Sequence, residues 1–170
     1  MVAIYSVQQR CCFTGNRPEK LPWGENEQDL RCLLAKDQIY CALEDAYERG
    51  FRYFLCGMAR GSDLYFGELV LQLRAKQPDV ILEAAIPYRG QCDTWSRDDQ
   101  LRYRRIVSQC DITTVLQEEY TPHCMAKRNQ YMVDNSALVI ALYSGTPGGT
   151  RSTLLYAMRQ KRETLILSPE

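Results

Sequence analysis

Residues 137–150 read ALVIALYSGTPGGT, and this stretch decides the fold. Residues 137–143 form an almost continuous apolar run, which is typical of a strand at the centre of a parallel sheet covered on both faces. Residues 145–150 form a turn rich in Gly and Pro. Apolar residues then recur at helical spacing. The segment therefore predicts a β-strand, a loop and an α-helix in succession.

The same alternation extends over the rest of the chain. Strands that alternate with helices require right-handed crossovers and therefore a mainly parallel sheet. With 170 residues the chain has the length of one ordinary domain. We therefore expect a single domain over residues 1–170 with a three-layer α/β, Rossmann-like fold, in which helices cover both faces of the sheet. The other strand-like runs are residues 10–14, 53–56, 80–86, 112–116 and 164–167.

The composition is that of an average globular protein. Lys and Arg total 21 and so do Asp and Glu, which gives a formal net charge of zero. Nucleic acid is therefore disfavoured as a partner, because a neutral chain lacks the basic field that supplies most non-specific affinity. No apolar run approaches the roughly 20 residues that cross a bilayer. The first residues lack the basic segment of a signal peptide. We expect a cytoplasmic protein that does not bind membranes.

Cysteine is the one unusual count, because the chain has eight cysteines but only one histidine, His123. No CxxC pair occurs, so a zinc site would have to be assembled from scattered thiols. Several of the cysteines lie in apolar runs or in helical patterns. We therefore expect buried, reduced cysteines and no metal site.

Three loops that follow predicted strands have unusual compositions: TGNRP at 14–18, GMARGSD at 57–63 and GTPGGT at 145–150. Ligands of open α/β sheets bind at the carboxyl ends of the strands. The second and third loops lead directly into helices, whose first N–H groups and dipole attract anions. Neither GxGxxG nor GxxxxGK[ST] occurs, which argues against an ordinary dinucleotide fold and a P-loop NTPase. The loops therefore predict a site for a phosphate-bearing, nucleotide-like ligand.

The candidate ligand contacts come from these loops and from one later helix. Arg17 offers the planar fork that phosphate oxygens prefer. Asp63 follows Ser62, the expected N-cap; its carboxylate either complements the helix dipole or contacts a ribose. The full set of expected ligand contacts is Thr14, Gly15, Asn16, Arg17, Gly57, Gly61, Asp63, Arg128, Gly148, Gly149 and Thr150.

The helix predicted around residues 125–134 carries an arginine between two methionines. Met125, Arg128 and Met132 share one face because they are three and four residues apart. An arginine in such a position needs a partner or a polar cavity for its guanidinium. Asp134 is one candidate partner, and a ligand phosphate is another.

The two tryptophans have different settings. Trp23 lies in a polar connection rich in Pro, Gly and Asn, where we expect it to be exposed. Trp95 follows Tyr88 closely. It either stacks on a base as a lid or packs as an ordinary core or surface aromatic.

Read together, the three loops and Pro87-Tyr88 resemble the YpsA-like family of uncharacterised bacterial proteins. This family lies in the SLOG group of Rossmann-type folds, with the LOG phosphoribohydrolases and the Smf/DprA DNA-processing proteins. The resemblance covers nearly the whole chain. It implies a nucleotide-like ligand and a homo-oligomer. We expect no required cofactor. The family usually shows TG-His-RP in the first loop, so Asn16 replaces that His and a proton-donor role is not carried over.

The resemblance to the LOG enzymes is incomplete at their catalytic signature. That signature reads Met-x-x-Arg-Lys-x-x-Met, followed by Pro-Gly-Gly-x-Gly-Thr-x-x-Glu. Met125, Arg128 and Met132 fit its first half, with Asn129 in place of the Lys, and residues 147–150 fit only part of its second half. Thr153 or Leu155 falls at the position of the Glu, depending on the alignment, and neither replaces a carboxylate in glycosidic chemistry. The resemblance therefore favours binding by a sensor or adaptor over hydrolysis.

Three alternatives remain open: an enzyme, a single-strand DNA-binding protein, and an interaction scaffold that binds no small molecule. The first is an enzyme that hydrolyses a nucleotide N-glycosidic bond with a displaced carboxylate. Its candidate catalytic residues are Asp63, Glu68, Arg128 and Asp134. The second is single-strand DNA binding by analogy with DprA, against which the neutral charge and the lack of a basic, aromatic stripe both count.

Overall fold

Six parallel strands form one sheet in the computed structural model, which describes residues 4–170. The elements are β1 (Arg10–Gly15), α1 (Leu30–Glu48), β2 (Tyr53–Cys56), α2 (Ser62–Lys76), β3 (Ile81–Ile86), α3 (Arg97–Gln109), β4 (Ile112–Val115), α4 (Cys124–Asp134), β5 (Leu138–Leu142), α5 (Gly149–Arg159) and β6 (Glu163–Leu167). The strand order is β4-β3-β2-β1-β5-β6, and the five helices alternate with the strands. The predicted Rossmann-like α/β fold is therefore confirmed.

The apolar runs become the central strands because helices cover both of their faces. Every residue of β2, β3 and β5 is buried, whereas the edge strands β4 and β6 are partly exposed. On one face, Phe13 stacks on Phe66 of α2 with ring centroids 4.7 Å apart. On the other face, Met132 and Ala157 from α4 and α5 pack against the sheet.

Trp23 is buried, so the expectation that it is exposed was wrong. Only 5% of its surface is accessible, and its Nε1 donates a hydrogen bond to the Tyr65 hydroxyl at 3.2 Å. The polar connection between β1 and α1 folds back over α2 and carries the indole into the larger core.

The strand order places a topological switch point between β1 and β5. The chain moves outward from β1 to β4 on one side, and then returns to add β5 and β6 on the other. Loops that leave the two sides diverge at this point and open a crevice at the carboxyl ends of the strands. All three unusual loops follow strands at this edge of the sheet.

The cysteines are free thiols, as expected. Six are buried and Cys110 is half-buried, but Cys41 on α1 is exposed, which corrects the expectation for that residue. In the part of the chain that the structure describes, no cluster of three or more His, Cys, Asp or Glu side chains is arranged to hold a metal ion. Within residues 4–170, no helix is long and apolar enough to cross a bilayer.

Candidate functional site

A cavity of about 230 Å³ lies at the switch point, and we call it the central cavity. The first loop, the second loop and the start of α5 all contribute to its wall, together with one face of α4. The three loops therefore meet around one cavity. The expected ligand contacts that line it are Thr14, Gly15, Asn16, Arg17, Asp63, Arg128, Gly149 and Thr150.

Three of the predicted glycines do not line the central cavity. A Cβ at Gly57 would lie 2.7 Å from Nη1 of Arg128, and one at Gly61 would lie 2.8 Å from Cδ of Pro18. Gly148 adopts a φ of +150°, and a Cβ there would overlap Nζ of Lys20. Gly57 and Gly148 give room to Arg128 and Lys20, which line the cavity, and Gly61 gives room to Pro18; none of the three is kept free for an anion that approaches the backbone.

The N-terminus of α5 is open to the central cavity. Gly148 is its N-cap and supplies no side-chain acceptor, so the N–H groups of Gly149, Thr150 and Arg151 lack intrahelical partners. No atom lies within 4 Å of a Cβ placed at Gly149, which therefore borders open space. This helix end offers unpaired donors and a positive dipole to an anion.

The N-terminus of α2, by contrast, is closed. Ser62 was expected to cap this helix, but Gly61 is the N-cap and Ser62 is the first helical residue. The Ser62 hydroxyl and amide both donate to the backbone carbonyl of Asn16, at 2.7 and 3.4 Å. The carbonyl of the first loop thus occupies the position where an anion was expected. Sequence reasoning missed this because the two residues are 46 positions apart.

Arg128 points into the wall of the cavity from α4, and only 3% of its surface is exposed. It donates to the carbonyl of Gly57 and, at 2.7 Å, to Oδ1 of Asn129. Burial lowers the pKa of the guanidinium and nearby Asp63 raises it, but the group stays a cation. Asp134 is not its partner, which corrects that expectation: Asp134 is exposed and accepts a hydrogen bond from Tyr156 at 2.7 Å.

Asp63 is a buried carboxylate with spare hydrogen-bonding capacity. It is 5% exposed, and its Oδ2 accepts the amide N–H of Ala59 at 3.1 Å. Within residues 4–170, its Oδ1 accepts no hydrogen bond, and no cation lies within 4.0 Å of either oxygen. Burial raises the pKa of this carboxyl, although Arg128 and the Ala59 amide act in the opposite direction.

Three further buried polar side chains line the cavity with polar atoms to spare. Asn16 is 4% exposed, and its Oδ1 accepts the N–H of Ser144 at 2.8 Å, which fixes the amide orientation. Among the described residues its Nδ2 has no acceptor. The hydroxyls of Thr14 and Thr150, each residue being 6% exposed, likewise make no hydrogen bond within the described chain.

Two more cations border the cavity, Arg17 from the first loop and Lys20 from the short 3-10 turn that follows it, Pro18–Lys20. Arg17 is exposed, and its guanidinium makes neither a hydrogen bond nor an ion pair within the described chain. Lys20 donates from Nζ to the carbonyl of Pro147, so it bridges this turn and the third loop. Glu19 also lines the cavity, but it pairs with Arg60. Sequence reasoning missed Lys20, although its place three residues after Arg17 was a usable signal.

The three carboxylates considered as replacements for the catalytic Glu of the LOG enzymes lie in different places in the structure. Glu68 accepts a hydrogen bond from Nε of Arg102, and neither it nor Asp134 lines the central cavity. Thr153, at one of the two positions that align with the LOG Glu, is 3% exposed and donates to the carbonyl of Gly149 at 2.8 Å. Of the proposed carboxylates, Asp63 alone lies in the cavity wall.

Comparison with known proteins gives one family and a set of relatives. The family model YpsA, described as the YspA SLOG family, matches residues 11–166. An uncharacterized SPbeta prophage-derived protein, YoqJ, of Bacillus subtilis (strain 168) is 31% identical over 140 residues, which cover 75% of this chain and 82% of that protein. A UPF0398 protein of Bacillus cereus (strain B4264) is 24% identical over 153 residues, which cover 88% of this chain and 82% of the relative.

Solved structures share the fold at low sequence identity. DNA processing protein A (DprA) from Streptococcus pneumoniae superimposes with a TM-score of 0.62 at 15% identity, over 94% of this chain and 50% of that one. DprA from Helicobacter pylori, described with a single-stranded DNA binding mode, gives a TM-score of 0.63 at 14% identity, over 95% of this chain and 65% of that one. This chain therefore spans half to two thirds of those proteins, and the likeness shows the fold alone.

Proposed function

The chain belongs to the YpsA family of SLOG proteins, and from that premise we propose that it binds a nucleotide or nucleotide derivative in the central cavity, as a sensor or adaptor. The phosphate lies against the N-terminus of α5, and Arg17, Lys20 and Arg128 supply positive charge. Asp63 accepts a hydrogen bond from a ribose hydroxyl.

One observation carries this proposal. Five side chains, each more than nine-tenths buried, line one cavity and retain hydrogen-bonding atoms that no described residue uses: Thr14, Asn16, Asp63, Arg128 and Thr150. These free atoms are open to the cavity and are not sealed in the core: among the described residues, the fully buried side-chain atoms without a partner belong to Tyr40, Ser136 and Arg162, none of which lines the cavity. A concentration of such groups around an open cavity therefore supports a polar ligand as their partner.

The sign of the charges favours a phosphate. The cavity is lined by three cations, Arg17, Lys20 and Arg128, and by the open N-terminus of α5. It is lined by only two carboxylates, Glu19 and Asp63, and Glu19 already pairs with Arg60. A favourable anion contact at a helix N-terminus contributes about 0.3–1 kcal/mol, and up to about 2 kcal/mol when it is partly buried. Several such contacts hold a phosphate without a basic protein, which agrees with the net charge of zero.

Calorimetric titration with ribose 5-phosphate, AMP and adenosine tests the proposal. We expect both phosphates to bind and adenosine to bind much more weakly, since it lacks the anion. Arg17→Gln is expected to weaken phosphate binding, because it removes an unpaired cation from the cavity. Arg49→Gln is the matched control, since Arg49 pairs with Glu163 away from the cavity. No heat from any phosphate, or equal loss in both variants, would contradict the proposal.

The buried carboxylate favours a second candidate function, hydrolysis of a nucleotide N-glycosidic bond. Burial raises the pKa of Asp63, which is the direction of shift that favours a general acid. Incubation with AMP and ADP-ribose, followed by chromatography of the released base, tests this candidate. If the protein releases the base from either compound and Asp63→Asn abolishes the release, the protein is an enzyme. If the compounds bind and no base is released, the sensor or adaptor is favoured.

Single-stranded DNA, which the Helicobacter pylori relative binds, is the competing ligand. The formal charge of zero argues against it, because nucleic-acid affinity depends largely on neutralised phosphates. A labelled oligonucleotide that binds in competition with AMP, and with a steep salt dependence, would favour DNA over a small nucleotide.

A further inference from the structure

A second cavity of about 300 Å³ adjoins the central cavity along the carboxyl edge of the sheet, and we call it the aromatic chamber. Arg17, Ala59 and Met125 line both cavities, so the two are neighbours across the unpaired guanidinium of Arg17. The rest of the chamber wall comes from the segments that follow β3 and β4. The chamber therefore extends the phosphate site in the direction of strands β3 and β4.

Three aromatic side chains line this chamber: Tyr88, Trp95 and Tyr120. Tyr88 and Tyr120 make an edge contact, with ring centroids 5.4 Å apart and planes at 76°. Trp95 is held by an edge contact to Tyr103, at 5.4 Å and 87°. Such T-shaped contacts fix the orientation of a ring. Trp95 is half-buried and Tyr120 is 62% exposed, so neither is an ordinary core residue.

A buried polar group in the chamber wall is the amide of Gln91, which is 3% exposed. Its Nε2 donates to the carbonyl of Gly57 at 3.0 Å, and its Oε1 accepts from the Tyr103 hydroxyl at 3.2 Å. The carbonyl of Gly57 also accepts from Arg128, so this chain of hydrogen bonds connects the two cavities. An amide has two donors and two acceptor positions, which leaves one N–H and one lone pair for a ligand edge.

We propose that the aromatic chamber holds the nucleobase of a nucleoside 5′-phosphate, whose phosphate lies at the N-terminus of α5. This inference rests on the proposed function and adds the location of the base. A planar ring with a polar edge fits a chamber lined by aromatic rings and one fixed amide. A sugar phosphate would leave the chamber unused. Stacking of a base on an aromatic side chain increases affinity by about 5- to 150-fold. Nucleotides should therefore bind more tightly than ribose 5-phosphate by about that factor.

The two tryptophans of the chain provide a direct readout. Trp23 is buried in the core and bonds to Tyr65, so Trp23→Phe leaves Trp95 as the single fluorescent indole. This variant is titrated with AMP, GMP, CMP, UMP and ribose 5-phosphate. We expect at least one nucleotide to quench the emission of Trp95 and to bind about tenfold or more tightly than ribose 5-phosphate. Ribose 5-phosphate should bind without quenching.

Calorimetry on chamber variants separates stacking from general destabilisation. Trp95→Leu and Tyr120→Leu should each weaken nucleotide binding several-fold and leave the affinity for ribose 5-phosphate unchanged. Tyr120 is exposed, so its replacement is not expected to impair folding. Ribose 5-phosphate bound as tightly as all four nucleotides, or nucleotide affinity unchanged in both variants, would overturn the inference while the phosphate site stands. If none of the five compounds binds, the proposed function fails and this inference fails with it.

Discussion

Gly57→Ala tests how the buried arginine is held in the cavity wall. The added methyl group would lie 2.7, 2.8 and 3.0 Å from Nη1, Cζ and Nε of Arg128. Gly57 has no positive φ, so the alanine itself adds no backbone strain. The guanidinium must therefore move toward the central cavity, and it loses its hydrogen bond to the Gly57 carbonyl.

The expected cost follows from that one bond. A hydrogen bond to a charged group contributes about 1.5–3 kcal/mol to the free energy of unfolding. In a chain of this length, each kcal/mol lost from the free energy of unfolding lowers the melting temperature by about 2–4 °C. We therefore expect the melting temperature to fall by about 3–12 °C in Gly57→Ala. Gln91 still donates to the same carbonyl, which limits the loss.

A double-mutant cycle with Arg128→Met is the decisive assay. Urea unfolding is measured for the wild type, both single variants and the double variant. In the Arg128→Met background the methyl group has no guanidinium to displace, so Gly57→Ala should then cost less than about 0.5 kcal/mol. An equal cost in both backgrounds would refute the reasoning, because the loss would then come from the backbone or from another neighbour.

Three other predictions follow from the site and the core. Gly149→Ala should leave the free energy of unfolding within about 0.5 kcal/mol of the wild type, because its methyl group meets no atom within 4 Å. The same variant should weaken ribose 5-phosphate binding by about 5- to 30-fold in calorimetry, and unchanged binding would contradict an anion at this helix end. Burial raises the pKa of Asp63, so its contribution to stability is complete below the pKa of the unfolded chain and declines as the pH rises to the folded pKa. The difference in unfolding free energy between wild type and Asp63→Asn should accordingly fall with pH, by at most about 1.4 kcal/mol per pH unit, and a difference that grows with pH would show the opposite shift. Cys41 should be the one thiol that a thiol reagent modifies quickly in the folded protein, whereas burial raises the pKa of Cys12 to about 12 and leaves it inert until urea is added; rapid modification of several thiols would contradict this.

The fold could be predicted from the sequence because its signals are local. The apolar run of β5 and the helical spacing on α4 each lie within one short segment, and helices and strands of the predicted type form there. The alternation of strands and helices predicts a parallel sheet, so the three loops were expected at the same carboxyl edge. The strand order, which puts β1 beside β5 and brings the loops around one cavity, comes from the structure.

The roles of single residues could not be predicted in the same way, because their partners are distant in the sequence. Arg128 bonds to a carbonyl 71 residues away, and the Trp23 indole bonds to a hydroxyl 42 residues away. The sequence shows that Gly57 lacks a Cβ, but only the structure shows that a guanidinium fills the space. Ser62 has the chemistry of an N-cap, yet the carbonyl of Asn16 takes its hydroxyl.

Amide chemical shifts in a ¹H–¹⁵N NMR titration with ribose 5-phosphate test the central claim most directly. A phosphate at the start of α5 accepts hydrogen bonds from Gly149, Thr150 and Arg151, and these three amides should show the largest downfield shifts. The amide of Ser62 is already bonded to the carbonyl of Asn16, so it should move little. Saturation of the protein without any change at the three α5 amides, or with the largest changes at the start of α2, would contradict the account.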